Sequence, residues 1–364
     1  FSDITRATPH GLILPAVLAE LAGLPPEQIT LFCALGTHRA NREDELRAMF
    51  SMGGSPKVAD AILGRYRIVQ NDAFDSATQV QIGVSSRGHE VWLNREIAAC
   101  DVKVLTGFIE PHFFAGFSGG GKALMPGMAG LRTVLGNHDA GMIANPQATW
   151  GITAGNPIWE EVMEVAQMAG GTFLVNVALN KHKQITGVFA GDLERAHAAG
   201  CAFVRETAMA PVAHQFDVVI TTNSGYPLDQ NLYQAVKGMS AAAQVVKQGG
   251  TILCAAACED GIPEHGLYGA LLRENPNPRA LLERIMQPDF LAQDQWQAQI
   301  QAQIQLKANV MLYSDGLSDE QIRGCWLTPC RDISRTVAEI AASVGPHCTV
   351  CVLPEGPQTI PYVS

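Results

Sequence analysis

The chain has 364 residues, of which 47% are hydrophobic and 16% charged, and its formal net charge is −10 with a pI near 5.5. This length predicts two or three domains, each large enough to bury a core. The acidic balance argues against a nucleic-acid surface, because phosphate binding needs clustered Lys and Arg. No apolar run reaches the roughly 18 residues of a membrane span. The first residue is Phe1 and not an initiator methionine, which is consistent with a missing upstream segment.

The nine cysteines predict a reducing compartment, and so a cytoplasmic protein, with no disulfide scaffold. Their number is odd, and residues such as Cys33 and Cys254 lie in apolar runs, where a thiol behaves as a small buried hydrophobe. Cys348 and Cys351 have the spacing of half a zinc site. Since no second half is nearby, we expect no structural metal there.

Short apolar runs alternate with helical segments along the chain, which predicts an α/β protein with buried parallel strands. In the first half we expect strands at 29–35, 80–84, 90–93, 102–106, 172–177 and 185–189, and helices at 14–22, 56–66, 158–168 and 193–207. Residues 208–214 are predicted to be a linker. A second series then has strands at 217–221, 251–256, 311–314 and 348–353, and helices at 278–286, 296–307 and 333–343. The domain boundary is therefore expected close to residue 210.

Residues 107–139, GFIEPHFFAGFSGGGKALMPGMAGLRTVLGNHD, concentrate the candidate functional groups. The candidates in this stretch are His112, Ser118, Gly119, Gly120, Gly121, Lys122 and His138. A helix beginning at Lys122 or Ala123 would place the glycine amides where they bind an anion, with the lysine at the mouth of the site. The alternative is a tight glycine turn beside a solvated lysine.

Further polar residues follow the predicted strand ends. His38 in the GTHR segment follows the strand 29–35 and His112 follows the strand 102–106, so a shared crevice at strand carboxyl ends is expected. Asp3 and Arg6 would present a carboxylate and a guanidinium to a ligand, or simply belong to a helix-capping loop.

Gln234 and Lys237 are three residues apart on a helix predicted to open at Leu228 or Asp229, so they share one face. Such a pair is common on solvated surfaces. Trp326 is a candidate pocket wall, although a core position is the commoner place for a tryptophan.

Two frequent enzyme classes lack support. Ser118 has the Gly-x-Ser-x-Gly spacing, but a nucleophile elbow needs a strand immediately before it, and here the predicted strand ends several residues earlier. No GxGxxG fingerprint is present, which argues against ordinary nicotinamide binding.

Six segments, in order, resemble the nickel-pincer nucleotide-dependent lactate racemase family, and they span nearly the whole chain. They are DITR (3–6), GTHR (36–39), PHFFAGFSGGGK (111–122), NH (137–138), NSGYPLDQNLYQAVKG (223–238) and PEGPQTIP (354–361). The resemblance implies a racemase or epimerase of a small 2-hydroxy acid, lactate or a related one. It also implies a pyridinium-3,5-bisthiocarboxylic acid mononucleotide that carries Ni(II) and is made by separate biosynthetic enzymes.

The resemblance also implies roles for individual residues. Lys122 matches the lysine that is covalently attached to the cofactor, His138 the histidine that ligates nickel, and His38 and His112 the acid/base pair. The implied substrate-binding residues are Arg6, Tyr233, Gln234 and Lys237. The resemblance places Asp3 near the cofactor or Arg6. Together with Asp3, the residues of the glycine turn, Ser118, Gly119, Gly120 and Gly121, are predicted to bind the cofactor.

We therefore predict two Rossmann-like α/β domains with the active-site crevice between them. The first, 1–209, is expected to bind the cofactor and to take back the tail 347–364, and the second, 210–346, to close over the substrate. Neither a nucleic-acid nor a membrane partner is expected. Two other functions stay open: a noncatalytic nucleotide- or anion-binding protein, and a 2-hydroxy-acid oxidoreductase on the same scaffold.

Overall fold

The computed structural model describes residues 1–264, 266–288 and 290–364, which form two compact α/β units. Unit 1 comprises Phe1–Asn137 and Gly151–Arg205, and unit 2 comprises His138–Trp150 and Glu206–Ser364. The α/β class is confirmed. The chain enters unit 2 for the second time at Glu206, a few residues before the expected boundary. The excursion His138–Trp150 was not expected, and it makes His138 a residue of unit 2.

The helices and strands have the following bounds. The helices are α1 (His10–Glu20), α2 (Glu43–Ser51), α3 (Pro56–Leu63), α4 (Arg95–Ala98), α5 (Leu131–Asn137), α6 (Ala140–Ala144), α7 (Pro157–Ala169), α8 (Leu193–Ala208), α9 (Leu232–Ala243), α10 (Tyr268–Arg273), α11 (Pro278–Ile285), α12 (Gln295–Lys307), α13 (Asp319–Gly324) and α14 (Ile333–Val344). The strands are β1 (Thr30–Cys33), β2 (Arg67–Gln70), β3 (Gln79–Val84), β4 (Glu90–Asn94), β5 (Lys103–Phe108), β6 (Pro111–His112), β7 (Gly116–Phe117), β8 (Thr172–Leu179), β9 (Ile185–Gly191), β10 (Met209–Val212), β11 (Phe216–Thr222), β12 (Val246–Ala255), β13 (Asn309–Tyr313), β14 (Thr328–Cys330), β15 (Val350–Leu353) and β16 (Ile360–Val363).

Unit 1 is built on several small sheets. β5 pairs in parallel with β8, which pairs antiparallel with β9, while β1 and β2 form a separate parallel pair. The antiparallel pairs β3–β4 and β6–β7 complete the unit. Apolar side chains of β5, α7, β8 and α8 share one core with Leu124 and Met128, which directly follow the glycine turn. Because Leu124 and Met128 are packed in this core, the backbone of the preceding turn, which carries Lys122, is held in place.

Unit 2 is organised around a five-stranded parallel sheet with the order β14-β13-β12-β11-β15. Strand order reverses between β11 and β15, and in open α/β sheets ligands bind outside the carboxyl ends of strands at such a switch point. β11 ends at Thr222 and the chain continues into α9, which carries three of the predicted substrate residues. The unit therefore presents α9 at its topological switch point.

Three local predictions were wrong. The segment predicted as a linker contains β10, which pairs in parallel with β16 near the end of the chain. The tail does not return to unit 1, because β15 joins the sheet of unit 2 beside β11 and β16 lies in the same unit. No α-helix begins at Lys122, which lies instead in a 3-10 turn over Gly120–Ala123. In addition, α9 begins at Leu232, later than expected, where the Asn231 side chain caps it.

All nine cysteines are free thiols. Within the described ranges, no helix has both the length and the apolar character needed to cross a bilayer.

Candidate active site

His38 and Asp3 form a close pair in unit 1. His38 follows the end of β1, and its Nδ1 lies 2.5 Å from Asp3 Oδ2. Thr5 donates to the other carboxylate oxygen from its hydroxyl at 2.6 Å. Burial raises the pKa of Asp3, but the charge and hydrogen bond of His38, with the Arg6 charge and the Thr5 hydroxyl, outweigh it and hold the pKa below its ordinary value.

An ionised Asp3 fixes the tautomer of His38. A carboxylate accepts only, so the proton of the neutral imidazole is on Nδ1 and the lone pair is on Nε2. His38 is therefore prepared to accept a proton. The resemblance places Asp3 near the cofactor or Arg6, and in the structure its carboxylate lies against His38.

His112 has the opposite arrangement. It lies in β6 at the β6–β7 turn, where its Nδ1 accepts the backbone N–H of Ala115 at 3.2 Å. The proton of its neutral imidazole is therefore on Nε2. The ring is flanked by Phe113, at 5.0 Å between centroids, and by Phe114, at 4.5 Å.

Lys122 belongs to the same cluster as His112. Its Nζ lies 5.7 Å from the centroid of the Phe114 ring, whose edge contact with His112 is described above. Burial, together with the positive charge of Arg6, lowers the pKa of Lys122 from 10.5 to about 7. A large fraction of this amine is therefore neutral and nucleophilic at neutral pH.

The GTHR segment lies against the chain that follows Lys122. Gly36 N–H donates to Gly127 O at 2.9 Å, so the loop bearing His38 is fixed next to the turn bearing the lysine. β1 and β5 lie in different sheets, so this contact between loops, and not a common sheet edge, relates His38 to the lysine turn.

Two groups of the expected anion cradle, the Gly120 amide and the Ser118 hydroxyl, are bonded within the protein. The amide of Gly120 donates to Asn176 Oδ1 at 2.8 Å, and the amide of Lys122 donates to Gly119 O at 3.1 Å. The Ser118 hydroxyl donates to Phe108 O at 3.0 Å and accepts from the Glu110 amide at 2.9 Å. The turn therefore supports the segment that carries Lys122, while binding of the cofactor by Ser118, Gly119, Gly120 and Gly121 stays a prediction.

Conformation and close packing explain the glycines. Gly119 and Gly120 have φ angles of +75° and +58°, in the left-handed region that favours glycine. A Cβ on Gly120 would lie 2.8 Å from the ring of His197, whose Nε2 is 2.9 Å from Ser118 O. Asn176 and His197 are both buried, and sequence reasoning missed both. Asn176 was detectable as a polar residue in the apolar run FLVNVAL, because a buried amide needs partners.

Unit 2 brings together the remaining predicted residues. The His138 ring contacts Trp296 edge-on, with 5.1 Å between centroids, and Trp296 Nε1 donates to the Tyr233 hydroxyl at 3.1 Å. On the same helix as Tyr233, Lys237 Nζ donates to Gln234 Oε1 at 2.7 Å. The prediction that Gln234 and Lys237 share one helix face is confirmed.

Trp296 was missed by sequence reasoning, which considered Trp326. Its helix, α12, also donates from Gln297 to Tyr233 O and from Gln299 to Ala140 O, so it holds α9 and the segment after His138. A sign was present in the sequence QWQAQIQAQIQ. In a helix, glutamines at every second position point to all sides, so some of them must face the core. Gln295, Gln297, Gln299 and Gln301 are in fact buried.

The described side chains can be compared with the ligand sets that hold a metal ion. Within residues 1–264, 266–288 and 290–364, no group of three or more His, Cys, Asp or Glu side chains could hold a metal ion.

Comparison with known families covers most of the chain. Residues 1–151 match the lactate racemase N-terminal domain, and residues 212–360 match the lactate racemase C-terminal domain. The chain belongs to the lactate racemase family.

Individual relatives extend this membership over nearly the full length. The lactate racemase of Thermoanaerobacterium thermosaccharolyticum is 35% identical over 362 residues, which cover 99% of this chain and 83% of the relative. The lactate racemase of Lactiplantibacillus plantarum is 36% identical over 358 residues, covering 98% and 82%.

Solved structures give the same result for the fold. The lactate racemase apoprotein from T. thermosaccharolyticum superposes with a TM-score of 0.92 at 35% identity, covering 99% of this chain and 85% of that one. A Thermotoga maritima protein superposes with a TM-score of 0.76 over 100% of this chain and 92% of its own, at 17% identity, which shows a shared fold alone.

Proposed function

We propose that this family member racemises or epimerises a small 2-hydroxy acid, lactate or a related one, with a nickel-pincer nucleotide covalently attached to Lys122. The observation that carries the proposal is the pair of opposite histidine tautomers in unit 1. His38 presents a lone pair at Nε2 and His112 a proton at Nε2. Inversion at a carbinol carbon needs one base and one acid, which exchange roles in the reverse reaction.

The substrate explains why side chains alone are insufficient. Removing the α-proton of a 2-hydroxy acid would place a carbanion beside an anionic carboxylate, which is unfavourable. When bound, the nickel-pincer nucleotide supplies an acceptor for the α-hydrogen as hydride, which no amino acid side chain provides.

Side chains of unit 1 accept and return the hydroxyl proton of the substrate. His38 takes the hydroxyl proton at Nε2, and Asp3 stabilises the resulting imidazolium through the Nδ1–H bond. His112 donates a hydrogen bond from Nε2 to the oxygen of the planar keto acid. When hydrogen returns to the opposite face of the carbonyl carbon, that oxygen takes a proton through His112 and the proton held by His38 is released, so the inversion ends with no net gain or loss of protons. Arg6 pairs with the substrate carboxylate in bidentate geometry and keeps it oriented. We assign Tyr233, Gln234 and Lys237 of α9 to substrate binding as well.

The chemistry of two residues fits the nucleotide. The amine of Lys122 has a pKa of about 7, so its neutral form would be available to form a thioamide with a thiocarboxyl group, the carboxyl oxygen leaving as water. His138 would hold the nickel through an imidazole nitrogen, a donor that suits Ni(II). Other enzymes must synthesise the nucleotide, and they are the proposed partners of this chain.

Intact-protein mass and chiral analysis together test the proposal. Protein co-expressed with the nucleotide-synthesising enzymes is expected to carry an adduct on Lys122, and either enantiomer of its substrate is expected to give both without accumulation of keto acid. Lys122→Ala is expected to abolish the adduct, and His112→Ala to keep the adduct but lose turnover. An unmodified wild-type lysine would favour a noncatalytic binding protein. Accumulation of keto acid would favour an oxidoreductase.

A further inference from the structure

A buried acidic network lies in unit 1, beside the point where the chain leaves it. Glu161 of α7 is 2% exposed, and its Oε1 accepts from the Ser85 hydroxyl at 2.5 Å and faces His89 Nδ1 at 2.7 Å. Its Oε2 accepts from Asn137 Nδ2 at 2.8 Å. Burial raises the pKa of Glu161, but these three partners outweigh it and lower the pKa, so the carboxylate is ionised.

The network holds the last turn of α5. Asn137, which is 1% exposed, also donates to Ile158 O at 3.2 Å, so two groups of α7 fix its amide. A Cβ on Gly136 would lie 2.9 Å from the His89 ring, which shows how closely the network packs on this turn. The position of the end of α5 is therefore set by side chains and not by helix propensity.

The next residue in the chain is His138. After it, Asp139 caps α6 by accepting from the Met142 amide at 2.8 Å. The histidine is thus a single residue between a fixed helix end and a capped helix start, which restricts its backbone on both sides.

We propose that Asn137 and Glu161 are positioning residues for His138 as a nickel ligand, an inference that rests on the proposed function. His138 is the protein ligand proposed for the metal, so the position of its backbone sets where the imidazole meets the nickel. Partners outside the ligand shell commonly orient a ligating histidine, and their loss weakens metal binding by about 10- to 100-fold.

Stability of the fold alone would not require a buried, ionised carboxylate at this position. Burying an ionised carboxylate opposes folding unless it is fully paired, and well-packed apolar residues often stabilise a core as well or better. Among the described residues, none donates a hydrogen bond to the buried Oδ1 of Asn137. We infer that the network is kept for the position that it imposes on the end of α5.

Nickel retention in the loaded protein tests the inference independently of activity. In Asn137→Ala, the mass adduct on Lys122 is expected to persist, while nickel passes to an added chelator about 10- to 100-fold faster than from the wild type. Glu161→Gln keeps an oxygen that accepts from Asn137, so nickel release is expected to stay close to the wild-type rate. Asn137→Ser is too short to reach Glu161 and replaces Asn137→Ala if the alanine variant does not fold, with the same expected loss.

Asn71→Ala is the matched control. Asn71 is also a buried amide of unit 1, 2% exposed, and donates to Ala129 O at 3.1 Å. It is expected to lower the melting temperature as Asn137→Ala does and to leave nickel release unchanged. Equal nickel release from wild type and Asn137→Ala, with the adduct present in both, would overturn this inference alone. Wild-type protein without an adduct or without nickel would overturn the proposed function and the inference with it.

Discussion

Asp3 and His38 form a carboxylate–imidazole pair at 2.5 Å, while His112 receives a backbone N–H on its equivalent nitrogen. The two proposed acid/base residues therefore rest in complementary states before any substrate arrives. A carboxylate beside only one of two histidines makes the pair functionally asymmetric, although the overall reaction is symmetric.

Replacement of Asp3 by asparagine is expected to reduce turnover by about 10²- to 10⁴-fold. The amide can donate to His38 Nδ1, which moves the imidazole proton to Nε2 and removes the base. The adduct on Lys122 should be unaffected, since Asp3 is assigned to His38 and not to the lysine. The measurement is kcat per mole of adduct, with adduct content read from intact mass. Unchanged turnover would show that the pair does not serve proton transfer.

Lys122 in the unloaded protein is expected to react with an acylating reagent with a midpoint near pH 7. Its pKa lies below the ordinary value, so the nucleophilic neutral form predominates above about pH 7 and disappears as the pH falls. The rate is read from peptide masses after digestion, with the exposed Lys57 as an internal reference for the reagent. In Arg6→Gln the midpoint should move to higher pH, because a neighbouring positive charge is gone. A midpoint near 10 in the wild type would contradict the described environment of this amine.

The sequence predicted those parts of the fold that periodicity determines. Apolar runs located β5, β8 and β11, and helical spacing located α7, α8 and α14, all within a few residues. It could not locate β6 and β7, because two residues carry no period. Membership of His138–Trp150 in unit 2 also depends on long-range packing, which leaves no local pattern.

The candidate site was predicted unevenly, for a physical reason. Residues that act through their own functional groups, such as Lys122 and His112, were recognisable by type and position. Supporting residues such as Asn176 and Trp296 act through distant partners, so their roles appear only when the fold brings those partners together. The glycine turn shows the limit clearly. Its composition suggested exposed amides, whereas the Gly120 amide faces Asn176.

Substitution of Gly120 by alanine is expected to destabilise the protein by about 2–4 kcal/mol, from left-handed backbone strain and overpacking together. The added methyl would meet the His197 ring at 2.8 Å. Less adduct should form, because the turn that presents Lys122 must shift. Chemical unfolding gives the free energy, and intact mass gives the adduct.

Gly88→Ala is the control for the strain contribution. Gly88 has a φ of +86° with nothing within 4 Å of an added Cβ, so only strain is introduced. We expect a loss of about 1 kcal/mol and full adduct formation. If the two variants lost equal stability, the close approach of His197 would have no energetic importance.

Exchange of Trp296 for phenylalanine is expected to lower kcat/KM by about 5-fold, mainly through a higher KM. Phenylalanine keeps an aromatic ring against His138 but removes the Nε1–H that donates to Tyr233 at 3.1 Å, a bond worth about 1 kcal/mol. Since Tyr233 and Gln234 are adjacent on α9, a looser tyrosine should weaken substrate binding and leave the proton-transfer residues of unit 1 unchanged. Steady-state kinetics with matched adduct content separates the two constants. A fall in kcat with loss of nickel would instead assign Trp296 to the placement of His138, through the ring contact and not through the hydrogen bond.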